Sequence, residues 1–164
     1  MRRLATIIVS IVGLISLDYF SKLLFESGIY QWMIRECHIE YLSDCWWKYY
    51  PVFGQYFGFQ LAHNTGIAFW LPITGLPLQI LTIVLICWLI WHYSRIEYSK
   101  KSNLLDAGYT LIIAGALSHA YERIFVGHVI DFIAIKYFAI LNFADIFISI
   151  GACLLFIAYY VHKR

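Results

Sequence analysis

Charge is what this sequence has least of. Asp, Glu, Lys and Arg together make up 13% of its 164 residues, against 62% hydrophobic ones, with a mean hydropathy of +0.70. A soluble domain carries about twice that share of charge, so the composition argues for an integral membrane protein. The net charge of +2 is too small to suggest a nucleic-acid partner. A leader-cleavage pattern is missing too. The first apolar run continues past Asp18 and Lys22 with no small-residue cleavage site beyond, and reads as a helix that stays in the membrane. Proline is scarce, at three residues, and Pro72 and Pro77 stand at the head of an apolar run, where a lost backbone donor is tolerated best. The length allows one domain and not two of ordinary size.

What is present is a set of long uncharged runs. We expect one integral membrane domain over 1–164, with spans at about 4–24, 68–93, 104–123 and 143–161, each near the roughly 20 residues a spanning helix needs. The fold class is therefore an all-α membrane protein, a four-helix transmembrane bundle. Between the first two spans lies a polar segment, about 26–62, rich in Tyr and Trp of the kind that collects at the membrane interface. Its later part, 52–61, alternates loosely around two glycines and is expected to form strands, giving a small, partly β subdomain on the outer surface. In the third span, Ala114-Gly-Ala116 would allow a close helix contact, and Asp106 suits a helix N-terminus. Seven of the twelve basic residues (Arg2, Arg3, Arg95, Lys100, Lys101, Lys163 and Arg164) fall on one side of such a bundle. By the positive-inside rule both termini are then cytoplasmic.

That topology gathers the scattered polar residues. Asp18 and Lys22, Asn64, His119 and Arg123, Asp131, Asn142 and Asp145 all come out near the outer ends of the spans. Ionisable side chains at membrane depth mark functional sites by default. Two carboxylates that share a site cannot both ionise cheaply, so Asp131 and Asp145 could hold one proton between them and activate a water. On spacing alone they could equally be two unrelated carboxylates at helix ends. Asp18 and Lys22 could be a simple i, i+4 pair facing headgroups, and Asn64 a helix cap. Cys87 and Cys153 read as small apolar packers. Cys37 and Cys45, with His38 between them, form a weak zinc pattern or a disulfide if their segment lies on the oxidising side.

The blocks Asp18-x-x-x-Lys22, Asn64-x-Gly66-x-Ala68-Phe69, Gly115-Ala-Leu-x-x-x-x-x-Arg123, Gly127-x-Val129-x-Asp131-Phe132 and Asn142-x-Ala144-Asp145 resemble the signature blocks of lipoprotein signal peptidase, also called signal peptidase II. The resemblance covers essentially the whole chain in order. It implies an intramembrane aspartic endopeptidase of the bacterial inner membrane, its active site near the periplasmic face. The substrates would be diacylglyceryl-modified prolipoproteins, cut on the amino side of the lipidated cysteine. Asp131 and Asp145 would be the catalytic dyad, and Asp18, Lys22, Asn64, Gly66, His119, Arg123 and Asn142 would support the site or the substrate. It further implies a β cradle at about 26–62 and no metal or organic cofactor. We expect a monomer in contact with membrane lipid. The family usually has Gly-Asn-x-x-Asp-Arg where this chain has Ser118-His119-Ala-Tyr-Glu122-Arg123. Arg123 could meet the lipid or pair with Glu122. A relative that binds or escorts lipoproteins without cleaving them is the alternative function. A proton pathway is disfavoured, because the polar residues cluster at one face.

Overall fold

In the first helix of this chain the usual inside and outside are exchanged. The structure, a computed structural model, describes residues 2–29, 49–66, 74–97 and 102–161. Among them are four α-helices: α1 (Arg2–Leu24), α2 (Gly75–Arg95), α3 (Asn103–Phe125) and α4 (Phe143–Val161). Exposed Leu, Ile, Val and aromatic side chains cover α1 and α2, while Asp18 and Lys22 are the buried residues of α1. A helix in lipid turns its apolar side chains outward and its polar ones toward protein.

Among the described residues, three helical segments are long and apolar enough to cross a membrane: Arg2–Ile29, Gly75–Arg95 and Phe143–Tyr160. The first includes a wide π turn, Phe25–Ile29, that continues α1. The α3 helix is not among them, although the sequence led us to expect a fourth span there. It touches all three other helices and buries Ser118, His119 and Glu122 along with its small residues. Packed against all three, it can bury polar groups along much of its length, whereas α1 buries them only at Asp18 and Lys22.

Glycine sets how closely α3 meets α4. A Cβ added at Gly115 would lie 2.5 Å from the Ala144 carbonyl oxygen, closer than any real Cβ contact. The small triplet Ala114-Gly-Ala116 thus does permit close contact, and it brings α3 against the start of α4. Far from that point, Arg3 and Tyr93 both donate to Asp106, tying α1 and α2 to the head of α3.

The sheet corrects one expectation. It has four antiparallel strands in the order β1 (Tyr50–Phe53), β2 (Phe57–Asn64), β3 (Val129–Ile135) and β4 (Ala139–Leu141). Strands in the polar segment after α1 were anticipated. The β3–β4 hairpin between α3 and α4 was not, so the β part is not confined between the first two helices. Buried on both faces, β3 is apolar at every position but Asp131, Val-Ile-Asp-Phe-Ile-Ala-Ile, with no alternation to betray it. Gly127, at φ +86°, turns the chain from α3 into β3, and Tyr137 at φ +67° sits in the hairpin turn. Phe25, Leu61, Ile130 and Phe132 form the core that fastens the sheet to the end of α1.

Candidate active site

The register of β2 and β3 builds one wall of the site. Ala62 pairs with Asp131 and Asn64 with Val129, so Asn64 and Asp131 lie near each other on adjacent strands. Asn64 caps no helix. Its Oδ1 accepts the Gly66 backbone N–H at 3.0 Å, which turns its Nδ2 toward Asp131 Oδ2 at 3.2 Å. Asn64 and Asp131 thus stand on strands and not, as the sequence suggested, at helix ends. The apolar residues that flank Asp131 in β3 give it the look of a span margin.

The other wall is the start of α4. Asn142 and Asp145 form a capping box: the Asn142 N–H donates to Asp145 Oδ2 at 3.0 Å, and the Asp145 N–H donates to Asn142 Oδ1 at 3.1 Å. With its oxygen so engaged, the Asn142 amide must present Nδ2 on its other side. That nitrogen donates to Asp131 Oδ1 at 2.5 Å and to the Ile130 carbonyl at 3.3 Å. One fully buried asparagine therefore binds both carboxylates.

Asp131 lies on β3, outside the helices, and is itself buried. Burial first, and then the charge of Asp145, push its pKa up from the ordinary 3.8 to about 6. The hydrogen bonds from Asn64 and Asn142 and the nearby His119 act the other way. From α3, His119 Nε2 reaches Asp145 Oδ1 at 3.1 Å. Such a pair, with one carboxylate inclined to keep its proton, is suited to general acid–base work on a water.

A second buried cluster lies behind the first. Lys22 donates to Asp18 Oδ2 at 2.7 Å and to Glu122 Oε2 at 2.5 Å. Asp18 also accepts the Ser118 hydroxyl and, through Oδ1, the Ala144 N–H at 3.0 Å. Glu122 Oε1 accepts the Ile130 N–H at 3.3 Å. Asp18 and Lys22 are therefore no headgroup-facing pair. They join α1 to α3, to β3 beside Asp131 and to α4 beside Asp145.

Ser118 and Glu122 were not among the candidate site residues. The scarcity of charge at membrane depth singles Glu122 out in the sequence, but nothing local joins it to Lys22, 100 residues away. Among the described residues Arg123 makes no ion pair with Glu122. Arg123 instead donates through Nη2 to the Gly66 carbonyl at 3.0 Å, and its own carbonyl accepts Gln79 Nε2 at 2.9 Å. Cys37, Cys45, His38, Ala68, Phe69 and Pro72 lie outside the described residues. Asp18, Lys22, Asn64, Gly66, His119, Arg123, Asp131, Asn142 and Asp145 are thus linked through two adjoining hydrogen-bond networks and the Arg123–Gly66 contact.

The fold and the sequence both have known counterparts. The lipoprotein signal peptidase of Pseudomonas fluorescens is 32% identical over 178 aligned positions, which cover 99% of this chain and 91% of that one. The enzyme of the same name from Ectopseudomonas mendocina is 34% identical over 114, covering 61% of this chain and 64% of its own length. A bacterial membrane enzyme solved by the in meso method shares the fold, with a TM-score of 0.74 at 22% identity over 98% of this chain and 90% of that one. The family model described as Signal peptidase (SPase) II matches residues 10–161, and the chain belongs to that family of peptidases.

Proposed function

We propose that this protein removes the signal peptide of diacylglyceryl-modified prolipoproteins, cutting on the amino side of the lipidated cysteine with Asp131 and Asp145 as the catalytic pair. The observation that carries this reading is the single asparagine, Asn142, bonded to both carboxylates. One carboxylate takes a proton from water as the water oxygen bonds to the scissile carbonyl carbon. The other gives its proton to the carbonyl oxygen. On collapse the C–N bond breaks, the first carboxyl passes its proton to the departing amine, and the second recovers one from the hydroxyl. No cofactor enters the scheme.

Around the pair, Asn64 and Asn142 hold Asp131 in place, and Arg123 holds the Gly66 end of β2. The Lys22 cluster fixes the helix ends. Four spans, α3 included, would place both termini in the cytoplasm and the site at the periplasmic face of the bacterial inner membrane. The test is cleavage of a diacylglyceryl lipobox peptide by the purified chain in detergent, beside Asp131→Asn and Asp145→Asn. Both variants should insert and fold yet lose turnover by more than about a thousandfold, as removal of a catalytic group does. Undiminished cleavage by either would refute the dyad. Tight binding without cleavage by the wild type would make the chain a substrate-holding relative.

A further inference from the structure

His119 touches the proposed pair through one nitrogen only. It is 7% exposed, its Nε2 lies 3.1 Å from Asp145 Oδ1, and its Nδ1 is buried with no hydrogen-bond partner among the described residues. The two nitrogens are thus in unequal positions. A buried N–H with no acceptor forfeits a strong donor, and such orphans are rarer than bare acceptors. The proton therefore belongs on Nε2, directed at Asp145.

The consequence for Asp145 follows from its other oxygen. Oδ2 accepts the Asn142 backbone N–H, which can only donate. Both oxygens of Asp145 then face N–H groups, and a carboxylic proton there would meet a donor on either side. Both oxygens of Asp131 likewise face N–H groups, the side-chain amides of Asn142 at 2.5 Å and Asn64 at 3.2 Å, so burial and not donor count separates the pair. Donors aimed at a carboxylate favour its charged form, and that charge costs less on Asp145, whose side chain is 32% exposed, than on Asp131, which is 3% exposed. The charged groups of the surrounding elements are Asp145 on α4, Asp131 on β3, Lys22 and Asp18 on α1, and Glu122 and Arg123 on its own helix.

We propose that His119 is a positioning residue whose Nε2–H keeps Asp145 the unprotonated base, leaving the shared proton of the pair on Asp131. The inference rests on the hydrolytic reading of the site. It orders the steps: Asp145 receives the proton of the attacking water, and Asp131 delivers its own to the carbonyl oxygen. As the C–N bond breaks, Asp145 protonates the amine and Asp131 regains a proton from the hydroxyl.

Chain length within the side chain supplies the test. The amide nitrogen of Gln lies the same number of bonds from Cα as imidazole Nε2, whereas that of Asn matches Nδ1. In the full chain, His119→Ala should lower kcat about 10- to 100-fold, the span of one hydrogen bond to a charged group, with KM changed less than about threefold. His119→Gln should restore most of that loss and His119→Asn little of it. Independently, 15N-histidine spectra should show the Nε2-protonated tautomer for the resonances that His119→Gln removes, and Asp145→Asn should disturb them. Equal rescue by Asn and Gln, an undiminished kcat in His119→Ala, or an Nδ1-protonated ring would each overturn the proposal. If the wild type cleaves nothing, the hydrolytic reading fails by itself, and the tautomer still decides whether His119 donates to Asp145.

Discussion

Asn142 and Asp145 cap each other. Each donates its backbone N–H to the other's side chain, at 3.0 and 3.1 Å, so the carboxylate is positioned by the same bonds that start α4. The Asn142 side chain has a separate task, the 2.5 Å bond to Asp131. Substitution can divide the two. Asn142→Ser keeps an oxygen for the cap and loses the donor to Asp131. It leaves buried acceptors on Asp131 and Ile130 unpaired, so it should cost about 1–3 kcal/mol of stability while turnover falls about 10- to 100-fold. Asn142→Ala should lose both, with a further stability cost of about 1 kcal/mol. Thermal unfolding in detergent beside kcat/KM checks the separation.

Lys22 lies between two buried acids, Asp18 and Glu122, as their shared cation. Lys22→Met leaves both without it and should cost about 3–5 kcal/mol, the range seen when one partner of a buried pair is removed. Adding Glu122→Gln to Lys22→Met should recover part of that loss, since one uncompensated charge disappears. A double-mutant cycle read from unfolding midpoints measures the coupling. Additive losses would show that Glu122 does not depend on Lys22.

The α3–α4 contact at Gly115 has no room for a methyl group. Gly115→Ala should destabilise by about 1–3 kcal/mol, because the obstruction is backbone, the Ala144 carbonyl, and not the tip of a flexible side chain. Turnover should suffer beyond that cost, since Ala144 immediately precedes Asp145. Gly13, whose added Cβ would meet nothing within 4 Å, is the control. Gly13→Ala should be neutral or stabilising by up to about 1 kcal/mol.

The pKa of Asp131, raised to about 6 by burial and by Asp145, carries a sign for both rate and stability. The proposed reaction needs this group protonated in the free enzyme, so kcat/KM should fall as pH rises through about 6. A profile flat from pH 5 to 8 would contradict it. For stability, the folded chain holds this proton more tightly than an unfolded one, whose Asp ionises near 3.8. Its contribution is greatest below pH 4, declines between about 4 and 6, and is lower above that by about 3 kcal/mol. Asp131→Asn should remove this dependence from the unfolding midpoint.

Much of the site was legible because its residues sit on helices, where spacing maps onto faces. Asp18 and Lys22 are one turn apart, as are His119 and Arg123, and charge is so scarce that each ionisable group stands out. Asn142-x-x-Asp145 has the spacing of a capping box, a local device readable from sequence. The β3–β4 hairpin was not legible, since a strand buried on both faces has the same apolar run as the margin of a helix. Nor was Glu122 as the partner of Lys22, because 100 residues separate them and no local rule links two helices.

By itself, the sequence determined the membrane-spanning character of the chain and the identity of its rare polar groups. Both follow from composition and from the high cost of charge in hydrocarbon. Only the tertiary structure decided which of those groups meet. Partners of buried charges are chosen by packing, here by the close approach at Gly115 and by the pairing of β2 with β3, which sets Asn64 against Asp131. These long-range contacts place Asp131 on a strand and Asp145 at a helix start, joined through Asn142.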